Sequence, residues 1–234
     1  MTSEATSVRK PRGAFFGRRK GHPLRAGQAG LIQTLLPALA VDLGRAAPRD
    51  LRTLFKPPIE TVRLEIGFGG GEHLLHEARA HPESGFLGCE AYVNGMAKAL
   101  AAIKAEGLDN IRLHHGDALA LIDWLPDGAL ARIDILYPDP WPKRRHWKRR
   151  FLSDDRIGRL GRVLRRGGEL RFATDWPGYA EWTLVRFLRS PLFRWTAERA
   201  DNWRKPWPDF PGTRYEEKAE KEGRKPVYLT FSRV

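Results

Sequence analysis

Cysteine and long apolar runs are nearly absent from this chain. The single cysteine, Cys89, excludes an internal disulfide and a cysteine-rich zinc site, and it fits a reducing compartment. No apolar run approaches the roughly 20 residues of a membrane span, so we expect no membrane partner. The basic N-terminus lacks the apolar core of a secretory signal, although its Arg, Ser and Thr content leaves a transit peptide open. We therefore expect a cytoplasmic protein.

Acidic residues are scarce relative to basic ones. The chain has 28 Asp and Glu against 41 Lys and Arg, which gives a formal net charge of +13. An excess of this size favours a polyanionic partner, and nucleic acid is favoured over a membrane surface. The 41% hydrophobic content excludes a wholly disordered chain, and 234 residues suit one α/β domain with an extension.

Charge and apolar periodicity divide the chain into three parts. Residues 1–27 are basic, with Glu4 as their single acid, and predict a mobile arm. Residues 28–58 predict an N-terminal helix and a linker that ends at Pro57-Pro58. Residues 59–234 form the third part, where apolar strand and helix patterns alternate. We expect this third part to be the functional domain.

The alternation in residues 59–234 predicts the fold class. Strands are predicted at 62–66, 85–89, 110–114, 131–136, 168–173, 192–197 and 226–233, and helices at 71–81, 93–105, 154–165 and 176–189. This spacing predicts an α/β, doubly wound, Rossmann-like fold whose seven-stranded sheet is mostly parallel. The last strand follows another strand with little helix between them, so we expect it to insert antiparallel.

A glycine-rich turn, E-I-G-F-G-G-G, follows the first predicted strand from Glu65 to Gly71. Because glycine lacks a Cβ, Gly67 and Gly69 let the backbone turn sharply and let a ligand approach the main chain. Such a turn before a helix is typical of a site for an adenosine-containing cofactor. A dinucleotide site requires a small residue where Glu72 stands, and Glu65 would repel a pyrophosphate. The acid favours S-adenosylmethionine, which carries a sulfonium; a plain tight turn is the alternative.

Two further acids follow the next two predicted strands. Glu90 ends the second strand, where a carboxylate can bind both ribose hydroxyls. Asp117 follows the third strand, where a carboxylate could accept a hydrogen bond from the adenine amino group; a helix N-cap is the alternative for this residue. Because ligands of doubly wound sheets bind at the C-terminal strand ends, we expect Glu65, Glu90 and Asp117 to converge on one crevice.

The fourth predicted strand ends in the run P-D-P-W-P-K-R-R-H-W-K-R-R, residues 138–150. Its prolines fix φ, so they present Asp139 and Trp141 in one geometry beside the crevice. Basic residues interleaved with aromatic ones favour phosphate contact and base stacking, the latter worth roughly 1–3 kcal/mol per base. A rigid turn with a solvated basic surface is the alternative.

Four motifs together resemble the bacterial tRNA (guanine-N7)-methyltransferases. They are the glycine turn, the P-D-P-W-P-K-x-R-H run, T-D-W at 174–176 and T-R-Y-E at 213–216. The resemblance covers about residue 28 to the C-terminus, and the proline-rich run is highly specific. The family usually has T-K-F-E where this chain has T-R-Y-E, and Arg and Lys bond differently, which puts the details of that contact in doubt.

The resemblance implies a methyl donor, an acceptor and a set of site residues. The donor is S-adenosylmethionine, and the acceptor is the guanine at position 46 in the tRNA variable loop. It implies cofactor contacts at Glu65, Glu90, Asp117 and Asp139, with Asp139 also the catalytic candidate, and the glycine turn itself predicts cofactor contacts at Gly67 and Gly69. It implies tRNA contacts at Lys143, Arg145, His146, Trp147, Lys148, Arg149, Arg150, Asp175, Thr213, Arg214, Tyr215 and Glu216.

Several alternatives stay open at the level of sequence. The chain could be a catalytically silent RNA-binding module of the same fold, or a methyltransferase acting on another RNA. Its oligomeric state, monomer or homodimer, is undecided. We expect no metal, because His73-x-x-His76-Glu77 matches neither H-E-x-x-H nor H-x-x-E-H.

Overall fold

The computed structural model describes residue 17 and residues 19–234. Most of the expected N-terminal arm, residues 1–16 and 18, lies outside the described residues. Residues 19–22 of this arm run beside the start of a helix that begins at Val93. The Val93 amide donates to the Arg19 carbonyl at 3.0 Å, and the Gly21 amide donates to Asn94 Oδ1 at 2.9 Å. Asn94 Nδ2 in turn donates to the His22 carbonyl at 2.7 Å.

A seven-stranded sheet forms the centre of the molecule, and its strand order is β3-β2-β1-β4-β5-β7-β6. Strands β1 to β5 pair in parallel, whereas β7 pairs antiparallel with both β5 and β6. The predicted doubly wound sheet with an antiparallel last strand is confirmed. The strands are β1 (Thr61–Ile66), β2 (Ser84–Glu90), β3 (Ile111–His115), β4 (Leu130–Leu136), β5 (Leu164–Thr174), β6 (Phe193–Trp195) and β7 (Val227–Arg233).

Helices cover both faces of this sheet. They are α1 (Ala26–Thr34), α2 (Leu36–Leu39), α3 (Glu72–Ala80), α4 (Val93–Glu106), α5 (Ala118–Trp124), α6 (Asp154–Val163), α7 (Pro177–Arg189), α8 (Asp201–Arg204) and α9 (Arg214–Lys221). In the part of the chain that the structure describes, 3₁₀ segments lie at Leu51–Leu54 and Arg144–Arg149. The strand predicted at 168–173 begins earlier, at Leu164, because Leu164 already pairs with Leu130 ahead of a β-bulge. The helix predicted to reach residue 165 therefore ends at Val163.

Among the described residues, the two largest apolar cores lie on the two sides of the sheet, and a smaller cluster forms around Leu136, Ala173 and Tyr228. Leu74 of α3 and Met96 and Leu100 of α4 are fully buried in one core, against which α1 and α2 also pack. The other core contains Leu121 of α5 and Leu160 of α6, which are fully buried as well. Burial at about 25 cal/mol per Å² of apolar surface holds these helices against the strands. The two cores leave the C-terminal strand ends free to form a site.

Candidate active site

A cavity of about 470 Å³ opens at the C-terminal ends of β1, β2, β3 and β4. This volume falls within the range of about 300–1,000 Å³ typical of small-molecule sites. The residues that line it include Gly67, Gly69, Glu90, Asp117, Asp139 and Arg214. The structure thus brings together the predicted glycine turn, three of the four predicted acids and part of the 213–216 segment.

The glycine turn has the backbone shape that its sequence predicts. Gly67, Gly69 and Gly71 all have positive φ, at 75°, 57° and 85°, which side chains with a Cβ rarely adopt. Helix α4 supports the turn from below: a Cβ on Gly95 would lie 2.2 Å from the Gly69 carbonyl oxygen. Gly95 is therefore required for this close approach, and nothing in the glycine motif itself indicated it.

Glu90 is fixed against the glycine turn. Its carboxylate accepts hydrogen bonds from the Gly69 amide at 2.7 Å and from the Tyr92 amide at 2.8 Å. Burial raises the pKa of Glu90, and these backbone bonds partly oppose that effect. A carboxylate oxygen accepts more than one hydrogen bond, so Glu90 retains acceptor capacity toward hydroxyls in the cavity.

Asp117 combines the two roles that its sequence position left open. One carboxylate oxygen accepts the Leu119 amide at 3.0 Å and caps α5, a helix that the apolar pattern did not reveal. The residue also lines the cavity, and its second oxygen has no partner among the residues that the structure describes. The capping bond therefore holds the side chain in place without using all of its acceptor capacity.

Glu65 lies outside the lining of the cavity. Its carboxylate is buried and forms a hydrogen bond with His73 Nδ1 at 2.8 Å. The centres of the His73 and Phe210 rings lie 5.5 Å apart. Burial raises the pKa of Glu65. Burial opposes protonation of His73, but the Glu65 carboxylate outweighs it and raises the pKa of the imidazole. In this arrangement Glu65 anchors α3 behind the glycine turn, and direct cofactor contact by Glu65 stays a prediction.

Asp139 stands at the mouth of the cavity between two residues of unusual backbone conformation. Tyr137 and Trp141 have φ of 49° and 44°, and each such residue costs on the order of 1–3 kcal/mol. The Asp139 carboxylate has no hydrogen-bond or ion-pair partner within the described part of the chain. Asp139 is exposed to solvent, and partial desolvation by the neighbouring residues raises its pKa. Strained backbone that holds a carboxylate without a partner is typical of a functional site.

The basic loop after Asp139 is largely a solvent-facing surface. Lys143, Arg144, Arg145 and Lys148 are exposed, and the 3₁₀ turn at Arg144–Arg149 carries most of them. The aromatic members pack within the loop and on α7: Trp141 meets His146 edge-on at 5.8 Å, and Trp147 meets Trp182 at 5.6 Å. Arg149 lies 4.9 Å from the Trp141 ring centre and lines the cavity.

Arg150 differs from its exposed neighbours. It is 2% exposed, and its guanidinium donates to the carbonyls of Pro140 and Gly178, both at 2.9 Å. The rings of Trp147, Tyr179 and Trp182 surround it, with centres 4.9–5.1 Å away. The predicted surface contact with RNA does not fit a guanidinium that is enclosed in this way.

The remaining predicted tRNA contacts divide into two groups. Thr213 and Glu216 form a capping box at the start of α9; Glu216 is buried and also accepts from the Tyr228 hydroxyl. Asp175 accepts from Arg224 Nε at 2.6 Å. Arg214 and Tyr215 instead point toward the glycine turn and line the cavity. The last two are therefore brought next to the predicted cofactor residues.

The cavity also contains residues that the sequence analysis missed. Phe151 and Arg156 line it, and the Arg156 guanidinium donates to the carbonyls of Arg150 and Phe151 at 3.1 and 2.9 Å. Neither residue belongs to a recognisable motif, since Arg156 lies on α6 and reaches the site only through the fold. Within the described ranges, no cluster of His, Cys, Asp and Glu could hold a metal ion, and no helix is long and apolar enough to cross a membrane.

The fold and the acid-lined glycine cavity together define an S-adenosylmethionine-dependent methyltransferase. The model of a family described as "Putative methyltransferase" matches residues 60–229. A tRNA (guanine-N(7)-)-methyltransferase of Rhodopseudomonas palustris is 60% identical over 95% of this chain and 84% of that protein. One from Brucella melitensis is 55% identical over 94% and 95% of the two chains. The chain therefore belongs to the tRNA (guanine-N(7)-)-methyltransferase family.

Solved structures support the fold at lower identity. The 16S rRNA methyltransferase KamB has a TM-score of 0.54 at 15% identity, covering 81% of this chain and 95% of that chain. TrmN from Thermus thermophilus has a TM-score of 0.53 at 19% identity, covering 78% of this chain and 46% of that chain. These likenesses concern the sheet and its helices.

Proposed function

We propose that this protein transfers a methyl group from S-adenosylmethionine to N7 of a guanine in tRNA, at position 46 of the variable loop. Asp139 carries the proposal: it is a carboxylate without a partner among the described residues, held at the mouth of the cavity by strained backbone. It stands between the glycine turn and the exposed basic loop. One side of Asp139 thus suits a small charged cofactor, and the other suits a polyanion.

The residues of the cavity fit the methyl donor. Glu90 and Asp117 at successive strand ends suit ribose hydroxyls and an adenine amino group. The bare backbone at Gly67 and Gly69 suits close approach of a ligand without phosphates, because acids surround it. When bound, S-adenosylmethionine supplies a methyl group on a positively charged sulfur.

Guanine N7 has a free lone pair, so no strong base is needed and catalysis rests mainly on positioning. Asp139 would accept hydrogen bonds from the N1–H and N2 amino edge of the guanine. Its negative charge would also stabilise the positive charge that develops on the base as N7 is methylated. The ionised form of Asp139 is the useful one for both tasks.

The exposed basic loop supplies the surface for the tRNA backbone. Lys143, Arg144, Arg145 and Lys148 face solvent beside the mouth of the cavity. Trp141 and Arg149 lie between them and the cavity, where a flipped base could stack on an aromatic ring. The proposal leaves Arg150 as an internal support of this surface.

Nucleoside mass spectrometry of tRNA incubated with the protein and S-adenosylmethionine tests the proposal. We expect 7-methylguanosine to appear, and a tRNA transcript with adenosine at position 46 to remain unmodified. Binding of tRNA without any methyl transfer would favour a silent RNA-binding module. Methylation of another nucleoside, or of an RNA other than tRNA, would overturn the assigned acceptor.

A further inference from the structure

The methyl donor carries an anionic group that the predicted acids cannot bind. Its methionine part ends in an α-carboxylate, whereas Glu90, Asp117 and Asp139 would repel a negative charge. A cation in the wall of the cavity would offset this repulsion. The described arginines that line the cavity are Arg149, Arg156 and Arg214.

With Glu90 and Asp117 in their proposed roles, the sheet order indicates where that carboxylate would lie. Since Glu90 of β2 suits the ribose and Asp117 after β3 suits the adenine, the donor extends from β3 across β2 toward β1. Its methionine end then lies over the glycine turn that follows β1. Arg214 and Tyr215 stand at that place: a Cβ built on Gly69 would be 3.8 Å from Arg214 Nη2 and 3.6 Å from Tyr215 Cε2.

The other two arginines are less suited to this role. Arg156 already donates to two backbone carbonyls. Arg149 lies against the Trp141 ring on the Asp139 side of the cavity. Arg214 donates to the Tyr215 hydroxyl at 2.9 Å, and the nearby acid Glu72 is paired with Lys98 at 2.6 Å. Arg214 therefore retains donors for a carboxylate.

We propose that the Arg214 guanidinium binds the α-carboxylate of S-adenosylmethionine and that the Tyr215 hydroxyl aligns it. This inference rests on the proposed function, and it moves Arg214 from the tRNA contacts to the cofactor contacts. Arg214 is the first residue of α9, so the donor would be closed in by the C-terminal segment as well as by the glycine turn.

Two ligands that differ in the carboxylate separate this role from a structural one. S-adenosylhomocysteine carries the amino-acid group, whereas 5′-methylthioadenosine lacks it. Isothermal calorimetry on Arg214→Met should show affinity for S-adenosylhomocysteine weakened about tenfold or more, with affinity for 5′-methylthioadenosine unchanged. Arg214→Lys should recover part of the loss, and Tyr215→Phe should cause a smaller loss with the same ligand dependence.

Other outcomes would overturn the inference. Equal weakening of both ligands would mean that Arg214 only supports the fold of the cavity. Unchanged affinity for both ligands, together with weaker tRNA binding, would return Arg214 to the tRNA surface. If the unaltered protein bound neither ligand, the proposed function itself would fail, which is a separate result.

Discussion

At the residue scale, the role proposed for Asp139 depends on the protonation state of its carboxyl group. Its carboxylate faces the mouth of the cavity, and the pKa is raised by desolvation without a compensating cation. Below that pKa the group is protonated and can no longer stabilise a cationic base. Turnover should therefore rise as pH increases through the raised pKa, and fall as pH decreases through it.

Asp139→Asn should lower turnover by about 10²–10³-fold at saturating tRNA, because the amide keeps the shape but loses the charge. The rise of turnover with pH should disappear with it, while donor affinity falls much less. Single-turnover kinetics across pH and calorimetry with the donor measure these effects.

The matched control for this substitution is Asp127→Asn. Asp127 pairs with Arg162 at a strongly exposed position far from the cavity, so its loss should leave turnover and its pH dependence unchanged. Near-normal turnover of Asp139→Asn with tRNA saturating would remove Asp139 from the mechanism.

At the element scale, the loop that carries Asp139 depends on an internal brace. Arg150 joins the Pro140 carbonyl, next to Asp139, to the Gly178 carbonyl at the start of α7. The guanidinium sits among three aromatic rings, where it is desolvated. The loop thus takes its position from α7 as well as from its own prolines.

Arg150→Met should lower turnover by about 10- to 100-fold, because a small displacement of a reacting group has an effect of this size. The salt dependence of tRNA affinity should stay unchanged, since the buried guanidinium contacts no phosphate. Rates at saturating tRNA and binding at several salt concentrations measure both. A lower salt dependence in this variant would instead support a direct contact between Arg150 and the tRNA backbone. Arg189→Met, at the exposed end of α7, serves as the control.

The elements show which parts of the fold can be predicted from sequence. Strands β1, β2 and β4 were predictable because each is a short, mostly apolar run, whereas the first residues of β5, which include Arg165 and Arg166, do not form such a run. Helix α9 was not, although Thr213 and Glu216 have the spacing of a capping box, because its first turn reads equally well as a substrate motif. Arg150 could not be told from exposed neighbours, since burial depends on α7, which lies far along the chain. The pairing of Glu65 with His73 could not be predicted either, because it depends on how α3 packs beside β1.

At the scale of the whole molecule, the effect of the net charge of +13 on tRNA binding should depend on where the basic residues lie. The exposed basic loop lies beside the cavity, at the C-terminal edge of the sheet. Other exposed arginines, such as Arg165 and Arg166, lie at the opposite edge, where β5 begins. Charge close to the cavity should contact the tRNA backbone, whereas charge at the opposite edge should not.

Replacing Arg144, Arg145 and Lys148 by Ala should flatten the dependence of log tRNA affinity on log salt by roughly 0.7–0.9 per lost phosphate contact. Filter binding or fluorescence titration over a range of salt concentrations measures the slope. The double replacement of Arg165 and Arg166 by Ala should leave the slope as it was. If the loop variant kept the same slope as the Arg165 and Arg166 variant and the unaltered protein, the loop would not be a phosphate contact surface.

Another consequence follows from the strip of backbone at residues 19–22, which is pinned to the first turn of α4. Gly17, which precedes this segment, lines the cavity, and so does Tyr92, which precedes α4. The wall of the cavity thus contains residues from an N-terminal segment, at Gly17, and from a C-terminal segment, at Tyr215. Truncation of the N-terminal segment up to β1 would remove one part of this wall, although every motif recognised in the sequence would remain.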